Sequence, residues 1–154
     1  YVPVGSRTFK VKDSSAYQVG SDVIVGREGN QAWIDEIGMN EVNWKPFTMK
    51  YQRVVVAVAE DSVTVDAPLV NPIDKQWGGG YLARYEFPGR IENCGVEGIR
   101  CDSVYASPTD HAHAWEFVSI RNAQNSWVRD CTAVHFAYTA VEINDSAKWV
   151  TVQD

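Results

Sequence analysis

The chain is poor in the residues that build a metal centre or a disulfide scaffold. It carries three cysteines, three histidines and two methionines in 154 residues, with no Cys-x-x-Cys or Cys/His ligand spacing. No apolar run approaches about 18 residues, so no segment reads as a membrane span. A basic face is missing too. Lys and Arg number 14 against 20 Asp and Glu, for a formal net charge of −6, which argues against nucleic acid as the main partner. The Gly78-Gly79-Gly80 run lacks the Lys and Ser/Thr of a phosphate loop and reads as a flexible turn. Helical periodicity is absent, and nothing calls for a helix longer than one or two turns. Asp110–Trp115 stays open between a short helix and a loop. The chain starts at Tyr1 without a leader and ends at Asp154 inside a repeat, so it reads as a piece of a longer protein.

What is present is β-type sequence with 45% apolar residues, enough for a buried core. Arg7–Val11 alternates polar and apolar side chains, Val23-Ile24-Val25 follows a Gly-Ser-Asp turn, and Tyr51–Val58 and Ser62–Val65 flank a three-residue connection, Ala59-Glu60-Asp61. Residues 35–48 have no period and read as a loop. The expected organisation is all-β: a small antiparallel module with long loops at 1–88, then parallel coils at 89–154.

The coils are read from three similar stretches, Arg90-Ile91-Glu92-Asn93, Ser119-Ile120-Arg121-Asn122 and Glu142-Ile143-Asn144-Asp145. The isoleucines lie 29 residues apart from 91 to 120 and 23 apart from 120 to 143. Short strands at such a period, with no helical pattern, mark a β-solenoid. The alignment places Asn93, Asn122 and Asp145 at one coil corner as a structural ladder. It sets Trp127 and Trp149 up to stack on each other. It also brings Cys101 near Cys131, either as buried thiols, the simpler reading, or as a disulfide.

Phe87–Arg100 and Ser126–His135 resemble the right-handed parallel β-helix proteins of the pectate-lyase-like superfamily, and Val19–Val25 resembles the β segment that precedes the coils in large members. The resemblance implies a right-handed parallel β-helix continuing beyond this chain. It implies a secreted, extracellular or periplasmic protein of bacterial type that acts on a polysaccharide, acidic classes included, along an outer sheet. The activity implied is that of a polysaccharide lyase or glycoside hydrolase. The alternatives are a non-catalytic carbohydrate-binding or adhesin segment and a purely structural β-solenoid piece. Partners are then a polysaccharide or oligosaccharide and the missing coils or an oligomeric mate.

Candidate chemistry falls where the repeat is interrupted. Asp110-His111-Ala112-His113-Ala114-Trp115-Glu116 is the densest ionisable cluster, and His111 and His113 share one side if extended. With His135 they are all the histidines of the chain. A solvated loop is the simpler reading, and no metal ligand is assigned. A lyase needs a cation such as Ca²⁺ to neutralise a uronate and a base to take its C5 proton. A hydrolase needs two carboxylates, one of them protonated. Asp110, His111, His113, Glu116, His135 and Glu142 are therefore the catalytic candidates, and Trp44, Trp77, Arg121 and Tyr138 the substrate-binding ones. The candidate groove runs from Asp110 to Glu142.

Overall fold

The computed structural model describes all of residues 1–154, and no helix is long and apolar enough to cross a membrane. The chain divides into two compact units, Tyr1–Glu86 and Phe87–Asp154.

The first unit is one antiparallel sheet. Its strands are β1 (Thr8–Lys10), β2 (Asp22–Glu28), β3 (Thr48–Ala59), β4 (Ser62–Val65) and β5 (Gly80–Arg84), in the order β1-β4-β3-β2-β5. β3 is long enough for two partners. Thr48–Val54 pairs with β2 and Val55–Ala59 with β4, and the register shifts between Val55 and Ala57, where a bulge bends the strand. Ala59 pairs directly with Ser62, so the hairpin connection is the two residues Glu60 and Asp61 rather than three. Alternation sends Val23 and Val25 of β2 and Val63 and Val65 of β4 into a core shared with Phe9, Val55 and Leu69. Each fully buried valine contributes about 1.5–3 kcal/mol.

The one α-helix, α1 (Gln31–Glu36), lies here and not at Asp110–Trp115, which is irregular with a bend at Ala112-His113. Asn30 starts it by accepting from the Trp33 amide through its side chain. The glycine run is a packed turn. Gly78, at φ 115°, caps a 3-10 turn at Lys75–Trp77, and a Cβ there would come 2.5 Å from the Glu28 carbonyl.

The second unit contains β6 (Ile91–Glu92), β7 (Gly95–Glu97), β8 (Arg100–Asp102), β9 (Glu116–Arg121), β10 (Ala123–Arg129), β11 (Thr132–Val134), β12 (Thr139–Asn144) and β13 (Lys148–Gln153). All its ladders are parallel: β10 pairs with β6, β7 and β13, β11 with β8, and β12 with β9. The chain thus visits three sheets in turn and returns to the first.

The register corrects the repeat. Ile91 lies opposite Ala123, whereas Ile120 lies opposite Ile143. Ile91 and Ile120 belong to different sheets, and 29 is not a period. The offset is 32 from Arg100 to Thr132 and 23 from Val118 to Val141. The nine extra residues lie between β8 and β9, in the segment holding Asp110–Trp115. The asparagine ladder splits accordingly. Asn93, Asn125 and Trp149 share one corner at φ 54°, 51° and 52°, while Asn122 and Asp145 share another at 53° and 38°. Asn tolerates this left-handed conformation better than most side chains.

Trp127 lies opposite Thr151 and Gly95, so it does not stack on Trp149. Cys101 lies opposite Ala133, and all three cysteines are free. Cys131 instead turns its thiol to the carbonyls of Val96 and Arg129.

Candidate functional site

β8 and β11 end side by side, and their ends carry one cluster. His135 follows β11 at φ 59°, and its Nδ1 lies 2.7 Å from Oδ1 of Asp102, the last residue of β8. Both side chains are about half exposed, at 48% and 55%. The neighbouring Ser103 is buried, and its Oγ lies 2.9 Å from His113 Nδ1. Tyr105 packs against both imidazoles, with ring centroids 5.0 Å from His135 and 5.7 Å from His113. The long connection from Ser103 to Trp115 thereby folds back over the strand ends. His113 and His135 are brought to one aromatic ring.

Asp110 has a different task. Its carboxylate accepts the amides of Ala106 and Ala112 at 2.9 and 2.8 Å, which ties the loop together. Those backbone donors hold its pKa below the ordinary aspartate value. His111 is exposed, and its carbonyl accepts the Trp115 indole N–H at 3.0 Å. No group of three or more His, Cys, Asp and Glu side chains is arranged to hold a metal ion.

β9 and β12 carry a second cluster on the face shared by Ser119, Arg121, Glu142 and Asn144. Glu142 Oε2 accepts from Ser119 Oγ at 2.8 Å and from Arg121 Nη2 at 2.9 Å. Arg121 also reaches Asp145 at 3.5 Å. The Arg121 guanidinium, then the Ser119 hydroxyl, hold Glu142 below the usual carboxylate range, and Glu142 in turn raises the pKa of Arg121. An ionised, saturated carboxylate is poorly suited to donate a proton to a leaving group. Glu116 begins β9, half-buried, opposite Thr139.

At the head of the same two strands stand Trp115 and Tyr138, 53% and 68% exposed, with ring centroids 6.1 Å apart. The amides of Tyr138 and Thr139 both donate to the Trp115 carbonyl, at 3.0 and 3.1 Å. These bonds anchor the backbone under both rings, and the indole bond to His111 holds the Trp115 ring itself. Trp127 is less available. It lies over Gly95, and its N–H donates to Glu97, which Arg129 also engages. These two donors lower the Glu97 pKa, Arg129 the more.

Of the remaining binding candidates, Trp44 and Trp77 belong to the first unit. Trp44 is 48% exposed and meets Phe47 edge-on at 5.8 Å, and Trp77 ends the 3-10 turn. Sequence reasoning missed Asp102, Ser103, Tyr105 and the binding role open to Trp115. The signal for Asp102 was available only through the register, which sets Cys101-Asp102-Ser103 beside Ala133-Val134-His135.

No family model and no curated protein matches the chain. Among solved structures, the tailspike protein gp49 from Pseudomonas phage LKA1 is similar over 83% of this chain, with 12% identity and a TM-score of 0.40. The chain spans 19% of the length of that protein.

Proposed function

We propose that residues 87–154 are coils of a right-handed parallel β-helix that holds a polysaccharide outside the cell, with the chain running along the β9/β12 face. Parallel strands joined by crossovers are right-handed in nearly all proteins, which supports the hand. The observation that carries the reading is the Trp115–Tyr138 pair. Two large rings stand in solvent on hydrogen-bonded backbone, and the Trp115 indole is itself held by the His111 carbonyl. Sugar rings present apolar faces that stack on such surfaces, and a fixed platform loses little entropy on binding. Beyond the rings, Ser119, Arg121 and Asn144 offer hydroxyl, guanidinium and amide groups to sugar hydroxyls. Glu142 and Asp145 outweigh Arg121 on this face, so a neutral polysaccharide suits it better than a polyanion.

The test is affinity electrophoresis of the chain through gels containing a panel of neutral and acidic polysaccharides. Retardation by a neutral polymer is expected, reduced at least about tenfold in affinity by Trp115→Ala with Tyr138→Ala, since covering about 60 Å² or more of apolar surface on the two rings is worth about 1.4 kcal/mol or more at roughly 25 cal/mol per Å². Equal retardation of the double variant would sink the reading.

A second reading rests on the Asp102–His135 contact. A histidine oriented by a carboxylate is an arrangement for taking a proton, as in β-elimination from a uronate. Incubation with acidic polysaccharides, followed by absorbance near 235 nm, tests it. Activity that Asp102→Asn reduces supports elimination, and silence across the panel leaves binding alone.

A further inference from the structure

The first unit holds a second place where a ligand can be recognised. Its sheet has β1 and β5 as edges, and both edges line one cavity of about 1000 Å³. Thr8, Phe9 and Lys10 contribute from β1, and Gly80, Tyr81 and Leu82 from β5. The sheet therefore curls enough for both edges to border one open slot, which Val2, Tyr17 and Ile73 also line. Val11, Ile73 and Leu82, half-buried and packed on the core residues Phe9 and Val25, form the apolar floor.

The hydrogen bonds show which backbone groups face the slot. Glu28 N donates to Gly79 O and Tyr85 N to Asp22 O, so in β5 the odd-numbered residues bond to β2. Gly80 and Leu82 turn their N–H and C=O groups outward. Tyr17 Oη caps the Leu82 carbonyl at 2.7 Å, as expected for an outward group. On β1, Val65 N donates to Arg7 O and Val11 N to Asp61 O, which leaves Thr8 and Lys10 facing outward. Two edges over an apolar floor, with the Leu82 carbonyl capped by Tyr17 and Thr8, Lys10 and Gly80 turned outward, form a template for another strand.

The charges on the rim narrow the occupant. Lys10, Lys12 and Lys75 line the cavity against the single carboxylate of Asp13. Lys10 is paired with Asp61, while Lys12 and Lys75 are exposed and enter no ion pair. The rim is locally positive on a chain of net charge −6. A strand whose side chains alternate would set apolar residues on Val11, Ile73 and Leu82 and acidic ones toward the lysines. A glycan has no row of amides to match the edges, and an acyl chain would leave them unpaired.

We propose that the slot between β1 and β5 binds an extended partner peptide of alternating apolar and acidic residues, as an added strand. The test uses the full chain and fluorescence anisotropy with a labelled octapeptide alternating valine and glutamate. Its controls are the same peptide N-methylated at alternate amides and a valine–lysine peptide. Saturable binding is expected for the first peptide alone. Lys12→Glu with Lys75→Glu should weaken it about tenfold and leave the urea midpoint unchanged, because both side chains are exposed. Absence of saturable binding, equal binding of the N-methylated peptide, or indifference to the charge reversal would each overturn the proposal. So would binding of laurate or oligogalacturonate in place of the peptide.

Discussion

The indole of Trp127 lies so close over Gly95 that a Cβ at Gly95 would sit 2.4 Å from the ring. The two residues are opposite each other in the β7/β10 ladder, and the same indole donates to Glu97. One added methyl must therefore displace a ring held by both packing and a hydrogen bond.

Gly95→Ala is expected to destabilise the chain by about 1–3 kcal/mol, the range for overpacking. Removing a strand glycine favours folding by about 0.4–1 kcal/mol through the unfolded chain, so the clash dominates. Urea unfolding of Gly95→Ala, Trp127→Ala and the double variant checks this. The substitutions should be strongly non-additive, with Gly95→Ala nearly harmless once the ring is gone. Additive effects would show that the contact does not matter.

Acid should weaken the fold through named carboxylates. Arg129 on Glu97, Arg121 on Glu142 and backbone amides on Asp110 lower these pKa values in the folded chain. Below the unfolded values of about 4 the unfolded chain binds more protons than the folded one, so the stability these groups contribute is present above about pH 4 and lost as pH falls through the folded values. The urea midpoint should be level from neutral pH to about 5 and then drop. The drop should be smaller in Glu97→Gln with Glu142→Gln. A midpoint flat down to about pH 3 would contradict the assignment.

The first unit was legible because its valines alternate, and alternation reports directly on which face of a strand is buried. The parallel strands were legible as a repeat, but the anchor was misplaced. Two corners of one pass both end in a left-handed asparagine, Asn93 and Asn122, so two different sheets share an apolar-polar-Asn ending. The nine residues inserted between β8 and β9 made 29 pass for a period. Side-chain partners 33 residues apart, such as Asp102 and His135, depend on that register. Local pattern carries no trace of them. The same holds for Trp115 and Tyr138, which meet only because β9 and β12 pair.

The corrected register also fixes the thiols. With Cys101 opposite Ala133 and all cysteines free, denatured protein without reductant should release thiol reactivity equal to its full cysteine content. In the native state Cys94, the exposed one, should react first, ahead of the half-buried Cys101 and Cys131. Loss of two thiols on standing in air, reversed by reductant, would instead reveal a disulfide.

Trp149 occupies the corner that Asn93 and Asn125 fill in the earlier passes, at φ 52°. Left-handed backbone costs a bulky residue about 1–2 kcal/mol, and asparagine relieves part of this by local hydrogen bonding. Against that stands the contact of Lys148 Nζ with the indole at 4.5 Å, worth about 0.5–1 kcal/mol at an exposed site. Half the side chain is already in solvent, at 50% exposure, so little burial is lost with the ring. Trp149→Asn is therefore expected to hold or raise the urea midpoint, and Asn125→Ala, which puts a Cβ without a polar group at the same corner, to lower stability by about 1 kcal/mol. A clear fall in the midpoint of Trp149→Asn would show that the indole stabilises through packing more than its backbone strains.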